Sequence, residues 1–512
     1  MPFRTQIVSE IRACEKIFDV IVIGGGANGC GVALDAASRG LRVALFERFE
    51  FGAGTSSRSS KLIHGGIRYL AQGRVSLVRE ALSERATLLA AAPGIVTPQR
   101  FFIPARGLVE RLKFSLGVTI YDYLAGPQAT AGTPLAADTE GKLVEQLKPG
   151  FVRGVCYDDA VFDDCALLQA ILRRARSFGA ITLNHAAITG MEHDIRSKLT
   201  TISVRDAIDG SELTVRGRAI VNAAGAYVDE INQWATTSEA ARSVTPSRGA
   251  HVVVPREFFD SNHALVFPRT PDGRIMFALP WYGRVLLGTT DTPTTDTTDS
   301  PRPSLNEIDS ILDVASHFLV RAPAREDVLS CFAGLRPLAG APAGQATAKR
   351  SREHRLSVGP TGMLTISGGK WTTYRLIAEQ AVNLACSISN LKAGECITRA
   401  MKLSNTPPTE ALQRNGSPGV EHTQGRIHSD LPWTTDDVRF AVREAAAVNL
   451  SDVLAFHTRF AFVDLELTRR IAPAVARIMA EELRETGDWV EQQCTAANEQ
   501  LEQFAITPTR AP

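Results

Sequence analysis

The clearest pattern of apolar and polar positions lies close to the start of the chain. Residues 18–23 read FDVIVI, an apolar run that is typical of a buried strand. Glycines follow this run directly, a helical stretch comes next, and a second apolar run ends at Glu47. The pattern predicts a strand, a glycine turn, a helix and a second strand, which form a βαβ unit that extends to about Phe49.

The glycines of this turn, Gly24, Gly26 and Gly29, have the spacing G-x-G-x-x-G. Gly24 allows the tight turn, Gly26 lets the backbone approach a pyrophosphate, and Gly29 lets the helix pack on the sheet. The helix N-terminus offers its N–H groups to the phosphates. Glu47 is placed to accept hydrogen bonds from the ribose of an adenosine, and an acid there disfavours a 2′-phosphate. The unit therefore predicts a site for NAD or FAD rather than for NADP.

Further along the chain, the apolar spacing predicts both helices and strands. We expect helices at residues 77–91 and 165–177, strands at residues 183–188 and 200–204, and a strand that runs through Gly225 into a helix at residues 217–232. Three later runs predict antiparallel strands of a separate sheet, at residues 251–255, 275–280 and 285–290.

The nucleotide-domain pattern returns at residues 363–385. A strand ends there at Gly368 and Gly369 and a helix begins, with Thr372 or Thr373 as its cap. Pieces of one nucleotide-binding domain thus occur at the start, in the middle and near residue 370, with an antiparallel domain between them. This organisation favours a flavoprotein over a simple NAD dehydrogenase.

The end of the chain has a different composition. Residues 402–433 are rich in Pro, Asn, Thr and Gly, which predicts a linker. Beyond it, Thr434 or Thr435 followed by two Asp residues marks a helix start, and so does Ser451 followed by an Asp. A longer helix is expected at residues 465–484, with Pro473 as a candidate break.

Length and composition narrow the classes of function. A chain of 512 residues with 44% hydrophobic and 22% charged residues should form two or three globular domains. The net charge of +1 gives no reason to expect nucleic-acid binding. The eight cysteines show no C-x-x-C and no metal-ligand spacing, so we expect no metal site. The first residues lack the apolar region of a secretory signal, and no run of 18 or more apolar residues predicts a membrane span.

Seven strings, taken together, are specific enough to indicate a family. They are TSSRSSKLIHGGIRYL (55–70), AIVNAAGAYVD (219–229), RGAHVVVPR (248–256), LPWYGRVLLGTTD (279–291), GLRPL (334–338), ISGGKWTTYR (366–375) and DVLAFHTRFAFVD (452–464). In content and order they resemble the FAD-dependent, quinone-linked glycerol-3-phosphate dehydrogenases, over roughly residues 18–505. Two departures are Phe456-His457, where an arginine pair is common, and SREH at residues 351–354, where an SRD-type string is usual.

The resemblance implies an α/β fold with three parts. These are a glutathione-reductase-like FAD-binding Rossmann domain, an inserted antiparallel β-sheet substrate domain of the D-amino-acid-oxidase type, and a C-terminal α-helical cap. The implied divisions are an N-terminal extension (1–17), an oxidoreductase region (18–401), a linker (402–433) and a C-terminal helical domain (434–512). Within the oxidoreductase region, the FAD-binding parts are about 18–110, 150–235 and 330–400, and the substrate-domain parts are about 111–149 and 236–329.

The resemblance also implies a reaction. The cofactor would be FAD, and sn-glycerol 3-phosphate would be oxidised to dihydroxyacetone phosphate by hydride transfer to flavin N5, with the electrons passing to a membrane quinone. The protein would lie peripherally on the cytoplasmic face of the inner membrane, with residues 3–17 and the side chains of Arg111, Lys113 and Phe114 as candidate contacts. The sequence leaves the oligomeric state open, and a homodimer is among the states that it allows.

A phosphorylated substrate needs cationic donors. The resemblance places these residues at the substrate: Arg68, Tyr69, Arg336, Arg352 and Lys370. His64 is the natural base for the hydroxyl proton, because the pKa of histidine suits neutral pH. Alternatively, His64 only hydrogen-bonds the flavin, and His251 is a second candidate base. Lys370 stands at a helix start, where a cation stabilises negative charge on substrate or flavin. We therefore expect His64, Arg336 and Lys370 to be catalytic.

The expected contacts of FAD are more numerous and lie in the glycine turn, in the serine-rich string and at the later glycines. They are Gly24, Gly26, Asn28, Gly29, Glu47, Arg48, Thr55, Ser56, Ser57, Ser59, Ser60, Lys61, His64, Gly65, Gly66, Gly225, Gly369, Lys370, Thr372 and Thr373.

Three other functions share parts of this pattern. An oxidase of the same substrate would pass electrons to oxygen and release peroxide. An amine-oxidising flavoenzyme on the same fold would need an arginine for a carboxylate but no phosphate cluster. A non-catalytic flavin-binding or membrane-docking protein would keep the fold alone, and the joint presence of His64, Arg68, Arg336 and Lys370 argues against it.

Overall fold

A computed structural model of the chain describes residues 3–13, 17–70, 72–126, 135–235, 243–268, 270, 273–339, 354–403 and 425–506. Its strands are β1 (Phe18–Ile23), β2 (Val43–Phe46), β3 (Leu62–Ile63), β4 (Val96–Ala105), β5 (Arg153–Phe162), β6 (Ile181–Leu183), β7 (Ala186–Asp194), β8 (Leu199–Asp206), β9 (Glu212–Asn222), β10 (Val244–Pro255), β11 (Ala264–Phe267), β12 (Met276–Trp281), β13 (Arg284–Gly288), β14 (Thr292–Pro293), β15 (Ser330–Ala339), β16 (Arg355–Val358) and β17 (Leu364–Ser367). Its α-helices are Phe3–Ala13, Ala27–Ser38, Ile67–Leu70, Val75–Ala91, Leu108–Ala125, Ala137–Glu145, Asp164–Ser177, Val228–Asn232, Leu305–Phe318, Tyr374–Ser389, Thr435–Glu444, Phe460–Val463, Leu465–Leu483 and Gly487–Leu501.

The first sheet contains the predicted nucleotide-binding unit. Five neighbouring strands, in the order β17-β9-β1-β2-β6, run parallel, and β16 lies antiparallel at the edge beside β17. The hairpin of β7 and β8 extends from β9 in antiparallel pairing. β1 and β2 are almost wholly buried, as their apolar runs require in a parallel sheet that is covered on both faces. The predicted Rossmann-type unit is confirmed.

Helices cover both faces of this sheet. On one face, Ala27–Ser38 packs against Asp164–Ser177 and Tyr374–Ser389 and shares a core with β1 and β2. On the other face, the helix Phe3–Ala13 buries Ile7, Val8 and Ile11. The apolar face of the predicted N-terminal extension is therefore packed against the sheet and is not available as a membrane contact.

The second sheet is the predicted inserted domain. Its strands follow the order β14-β10-β13-β12-β11-β4-β5-β3, with β15 also paired to β10. All of these pairs are antiparallel except β11 with β4. β3, β4, β5 and β15 belong to this sheet, although their residues fall within the predicted FAD-binding parts 18–110, 150–235 and 330–400. The ten-residue pairing of β4 with β5 draws both strands into the second sheet.

The C-terminal helices form the expected cap, which shares a core with the second sheet. The start of Thr435–Glu444 is confirmed: Thr434 and Asp437 form a capping box. The structure refines three local points of the sequence prediction. The helix Leu465–Leu483 passes through Pro473 unbroken, because its neighbours Val475 and Ala476 are buried on its core side.

The other two points concern helix starts. Thr373 occupies the cap position before Tyr374–Ser389, but its side chain makes no capping hydrogen bond, since a 3₁₀ turn at Trp371–Thr373 precedes the helix. A helical segment does start after Ser451, as predicted, but Asp452–His457 is a π-helix and not an α-helix.

Candidate active site

A cleft of about 510 Å³ runs between the two sheets. Most of the predicted site residues that the structure describes line it: Gly24, Gly26, Asn28, Glu47, Arg48, Thr55, Ser56, Ser59, Ser60, His64, Tyr69, Gly225, Arg336, Gly369, Lys370 and Thr372. Arg352 and the side chain of Arg68 lie outside the described part of the chain. The remaining predicted contacts, Gly29, Ser57, Lys61, Gly65, Gly66 and Thr373, are not part of the lining.

The glycine turn forms one end of the cleft. Gly24 has a φ of +102°, in the region that favours glycine. A Cβ atom on Gly29 would lie 1.9 Å from the carbonyl oxygen of Gly24, so the helix approaches the turn more closely than any side chain allows. The amide of Ala27, at the start of the helix, donates to Ser56 Oγ at 2.9 Å. This close-packed turn with a helix N-terminus facing the cleft fits the pyrophosphate of FAD.

Glu47 follows at the end of β2. Its two carboxylate oxygens accept hydrogen bonds from the amides of Gly25, at 2.6 Å, and Phe49, at 2.9 Å. Burial raises the pKa of Glu47, and these two hydrogen bonds oppose that shift. A carboxylate has about four acceptor positions, so two remain for ribose hydroxyls. The geometry fits the role predicted from the sequence.

Arg48 lies beside Glu47 and was predicted only as a general cofactor contact. Its guanidinium carbon lies 4.0 Å from the ring centroid of Tyr227, and Asp299 forms an ion pair with it at 2.5 Å. Tyr227 was not singled out in the sequence, although it stands two residues after Gly225 and lines the cleft. The sequence signal that could have identified Tyr227 as a cleft residue was its aromatic ring two positions after Gly225.

The serine-rich string divides between the cleft and the protein interior. Lys61 is buried, and its Nζ donates to Asp164 Oδ2 at 2.6 Å and to the carbonyl of Ser57 at 2.7 Å. Arg459 of the cap binds the same aspartate and the same carbonyl. Burial and the neighbouring Arg459 lower the pKa of Lys61 to about 8, against the opposing effect of Asp164. Lys61 therefore helps to join the cap to the helix Asp164–Ser177, and its side chain does not line the cleft.

Two segments that are distant in sequence are fastened together near the middle of the cleft. The amide of His64 donates to Thr372 Oγ1 at 3.2 Å, and Trp371 Nε1 donates to the carbonyl of Ser56 at 2.8 Å. The Nζ of Lys370 lies 4.2 Å from the ring centroid of Tyr69, a cation–π distance. The strings KLIHGG and GGKWTT thus build one wall, which carries both a histidine and a lysine.

Arg336 reaches the cleft from β15. Its Nη1 donates to the carbonyl of Thr290 at 3.0 Å, its Nη2 donates to Thr289 Oγ1 at 2.8 Å, and Asp291 lies 3.3 Å from Nη1. Gly249 leaves room for it, because a Cβ atom there would lie 2.2 Å from Nη2. The guanidinium is therefore held in one position, which favours recognition of an anion.

His251, on β10, is buried and also borders the cleft. Its Nε2 lies 2.9 Å from Ser60 Oγ, and its ring stacks on Phe332 with centroids 4.9 Å apart. Burial lowers the pKa of His251 well below its ordinary value, and Arg336 and Lys61 lower it further. These shifts keep His251 neutral but make it accept a proton less readily, so it remains an alternative base behind His64.

Within the described residues, one group brings metal-capable atoms together, away from the cleft lining. Atoms of Glu50, His185 and Asp452 lie within 4.8 Å of one another, and all three residues are buried. His185 Nε2 lies 3.0 Å from Asp452 Oδ2, and Asn184 donates to Glu50 at 2.6 Å. These contacts form a buried ion-pair network between the first sheet and the cap.

Two family models match this chain, one over the region of the two sheets and one over the cap. Residues 19–375 match the family model described as FAD dependent oxidoreductase, and residues 399–493 match the C-terminal domain of alpha-glycerophosphate oxidase. A mitochondrial glycerol-3-phosphate dehydrogenase of Arabidopsis thaliana is 33% identical over 95% of this chain and 86% of its own length.

Two solved structures extend the likeness to the fold. The glycerol-3-phosphate dehydrogenase of Bacillus halodurans, complexed with FAD, superposes with a TM-score of 0.78 at 25% identity over 99% of both chains. The L-alpha-glycerophosphate oxidase of Mycoplasma pneumoniae, with FAD bound, has a TM-score of 0.57 at 18% identity over 74% of this chain and 96% of its own. With the cradle at Gly24 and this family match, FAD is the cofactor, and the chain belongs to the FAD-dependent glycerol-3-phosphate dehydrogenase family.

Proposed function

We propose that this protein oxidises sn-glycerol 3-phosphate to dihydroxyacetone phosphate and passes the electrons to a membrane quinone. The observation that carries the proposal is the single cleft that joins the glycine cradle to His64, Lys370 and Arg336. Bound FAD supplies the hydride acceptor, its isoalloxazine ring. The names of the relatives support the choice of substrate.

The cations of the cleft divide the work of binding. Arg336, fixed by Thr289 and Asp291, offers a rigid planar donor of the kind that suits a phosphate. Lys370, in the string GGKWTT, lies beside Tyr69. Its charge there stabilises an oxyanion that develops at C2 of the substrate. Arg68 and Arg352 join this set in the proposal on the family resemblance alone.

Oxidation at C2 also requires that a hydroxyl proton be removed. We assign this step to His64, whose main chain is fastened to Thr372 in the wall of the cleft. His251, neutral and bonded to Ser60, is the alternative base. Both side chains border the cleft, so a comparison of variants decides between them.

Anaerobic stopped-flow spectroscopy tests the reaction and the base together. We expect glycerol 3-phosphate, but not glycerol, to bleach the flavin band of the wild-type protein. The His64→Gln variant should be reduced roughly 10² to 10⁴ times more slowly with its FAD retained, the usual effect of losing a general base. A wild-type flavin that glycerol 3-phosphate leaves oxidised would contradict the proposed substrate. A loss seen in His251→Gln but not in His64→Gln would move the base to His251.

An exposed apolar helix face favours a membrane quinone over oxygen as the acceptor. On Leu108–Ala125, Leu108, Leu112 and Leu116 recur every fourth residue and are 73%, 63% and 64% exposed. Ile120, Val109 and Tyr123 are exposed on the same helix, while Val118 and Tyr121 are buried. Apolar rows of this kind, with Lys113 and Arg111 on the same helix, are typical of helices that lie in a bilayer surface. Among the described helices, none combines the length and hydropathy needed to cross a membrane.

Flotation with anionic liposomes tests the docking surface at the cytoplasmic face. We expect wild-type protein to float, and the double variant Leu112→Glu, Leu116→Glu to stay in the soluble fraction. Ile195→Glu is a matched control, because Ile195 is 83% exposed in the hairpin between β7 and β8, on the other sheet. Wild-type protein that does not float, or a control that loses flotation equally, would contradict this surface.

The acceptor itself is tested by comparing two turnover assays. A quinone-linked enzyme should reduce a soluble quinone analogue in the absence of oxygen and release little peroxide in air. Rapid peroxide release with slow quinone reduction would favour the oxidase, the activity named for the Mycoplasma pneumoniae structure.

A further inference from the structure

The main chain that follows His64, at Gly65, is held by Tyr121 from a different element. β3 ends at Ile63, which pairs with Ala160 of β5, and the chain then leaves the sheet. The amide of Gly65 donates to the hydroxyl of Tyr121 at 2.8 Å. Tyr121 lies on the helix Leu108–Ala125 and is wholly buried.

Tyr121 is itself fixed by a charged pair. Its one O–H donates to the Asp159 carboxylate, whose two oxygens lie 3.0 and 2.8 Å from the hydroxyl oxygen, and Arg85 donates to the same carboxylate at 2.5 Å. Asp159 stands on β5 next to Ala160, and Arg85 comes from the helix Val75–Ala91. Burial raises the pKa of Asp159 to about 6, which Arg85 and Tyr121 oppose. Arg85, Asp159 and Tyr121, which come from three elements, thus form one chain of contacts that leads to the Gly65 amide.

The backbone at Gly65 packs closely against this hydroxyl. A Cβ atom on Gly65 would lie 2.5 Å from the Tyr121 hydroxyl and 2.6 Å from Leu82, so the backbone is pressed against both helices. Ile63, before His64, is held by its pairing with β5, and Gly65, after it, is held by Tyr121. The contact with Thr372 holds the amide of His64 itself.

We propose that Tyr121 is a positioning residue of the active site, whose hydroxyl fixes the Gly65 amide and thereby the place of His64 in the cleft. The inference rests on the proposed oxidation of glycerol 3-phosphate, in which His64 accepts the proton. Tyr121 contributes no reacting atom. Its loss removes the hydroxyl that accepts the hydrogen bond of the Gly65 N–H and leaves Asp159 as the remaining acceptor beside it, so the turn at Gly65 can shift. Small misplacements of a reacting group are costly to the rate.

The test compares Tyr121→Phe with Tyr157→Phe as holoenzymes. Tyr157 is a matched control because it is buried in the same cluster and packs edge-on against Tyr121, at 5.9 Å between ring centroids. For Tyr121→Phe we expect the limiting rate of anaerobic flavin reduction to fall roughly tenfold to a hundredfold. The apparent substrate affinity and the FAD content should stay near wild type, because Arg336 and the glycine cradle are untouched. Tyr157→Phe should be reduced at close to the wild-type rate.

Amide hydrogen exchange at Gly65 supplies a second, independent readout. The amide should be protected in the wild-type holoenzyme and should exchange faster in Tyr121→Phe. A wild-type reduction rate in Tyr121→Phe, an equal loss in Tyr157→Phe, or an unprotected Gly65 amide in the wild type would overturn the inference. The measurement of the Gly65 amide in the wild type does not depend on whether Tyr121→Phe folds. If the wild-type flavin is not reduced by glycerol 3-phosphate, the proposed function fails, while the amide exchange still decides whether Tyr121 fixes the turn.

Discussion

At the scale of single residues, the glycine turn was the feature that sequence spacing predicted best. The rule that assigns roles to the three glycines depends on backbone approach, and the structure shows that approach at Gly29. Side-chain direction was not predictable in the same way. Lys61 stands among small polar residues that border the cleft, yet it turns inward to Asp164. The direction of the Lys61 side chain depends on the positions of Asp164 and Arg459, which are hundreds of residues apart, so the local sequence does not predict it.

Gly29→Ala tests the cradle. The added Cβ atom would lie 1.9 Å from the Gly24 carbonyl oxygen, so the turn must open and the bound pyrophosphate loses its close contact. We expect the purified variant to contain far less FAD than the wild type, by absorbance of the flavin band. Gly141→Ala is the control, because a Cβ atom there meets nothing within 4 Å. Full flavin content in Gly29→Ala would show that the cradle tolerates a side chain.

Arg336→Lys tests recognition of the phosphate. Lysine cannot keep both contacts that fix the guanidinium, to Thr290 and Thr289, nor present a planar pair of donors. We expect the KM for glycerol 3-phosphate to rise by roughly one to two orders of magnitude, as for the loss of about 1.5–3 kcal/mol from a charged hydrogen bond. Arg325→Lys, at an exposed ion pair with Asp309, should leave the KM unchanged. An unaltered KM in Arg336→Lys would remove Arg336 from the substrate site.

At the scale of elements, the sequence predicted which segments are strands more readily than which sheet they join. The runs around residues 219 and 364 were predicted to return to the nucleotide domain, and β9 and β17 do pair side by side there. β4 and β5 were not predicted as strands, and their place in the second sheet depends on pairing with each other across 48 to 66 positions, which no local pattern shows. The exposed face of Leu108–Ala125 was also only partly predicted, through Arg111, Lys113 and Phe114.

That helix gives a prediction about electron delivery. Its outer face is proposed to touch the bilayer, and the residues of this face do not line the cleft. The double variant Leu112→Glu, Leu116→Glu should therefore keep wild-type anaerobic flavin reduction by substrate but reduce quinone embedded in vesicles more slowly. A soluble quinone analogue should restore the rate. Equal loss with both quinones, or slowed flavin reduction, would show that the substitutions act on the active site and not on docking.

At the scale of the whole molecule, the cap is fastened to the oxidoreductase region by two buried charged networks. One joins Arg459 to Asp164 and Lys61, and the other joins Asp452 to His185 and Glu50. The sequence departs from the family pattern at His457, where an arginine is common. In the structure, Nε2 of this histidine lies 3.7 Å from Oε1 of Glu50. The sequence predicted a helical cap from its helix starts and composition. It could not predict these attachments, because each joins residues more than 250 positions apart.

The second network makes the stability of the protein depend on pH in a defined direction. Burial alone would lower the pKa of His185, but Asp452 outweighs it and raises the pKa from 6.5 to about 9. A raised folded-state pKa means that the stabilisation is complete below pH 6.5 and is lost as the pH rises towards 9. The effect is about 3 kcal/mol for a shift of this size. Lys61 acts oppositely, since its lowered pKa makes stability rise above pH 8.

The contribution of His185 is isolated by subtracting variants. Urea unfolding of the wild type and of His185→Gln should differ most near pH 6, and the difference should shrink steadily up to pH 9, while the Lys61 effect cancels because both proteins contain it. His317→Gln, at an exposed histidine beside Asp313, should show no such trend. Because Asp452 belongs to the cap and His185 to the oxidoreductase region, the cap should also be cleaved by protease sooner at pH 9 than at pH 6 in the wild type. A difference between wild type and His185→Gln that does not change with pH would mean that this histidine is not charged in the folded protein.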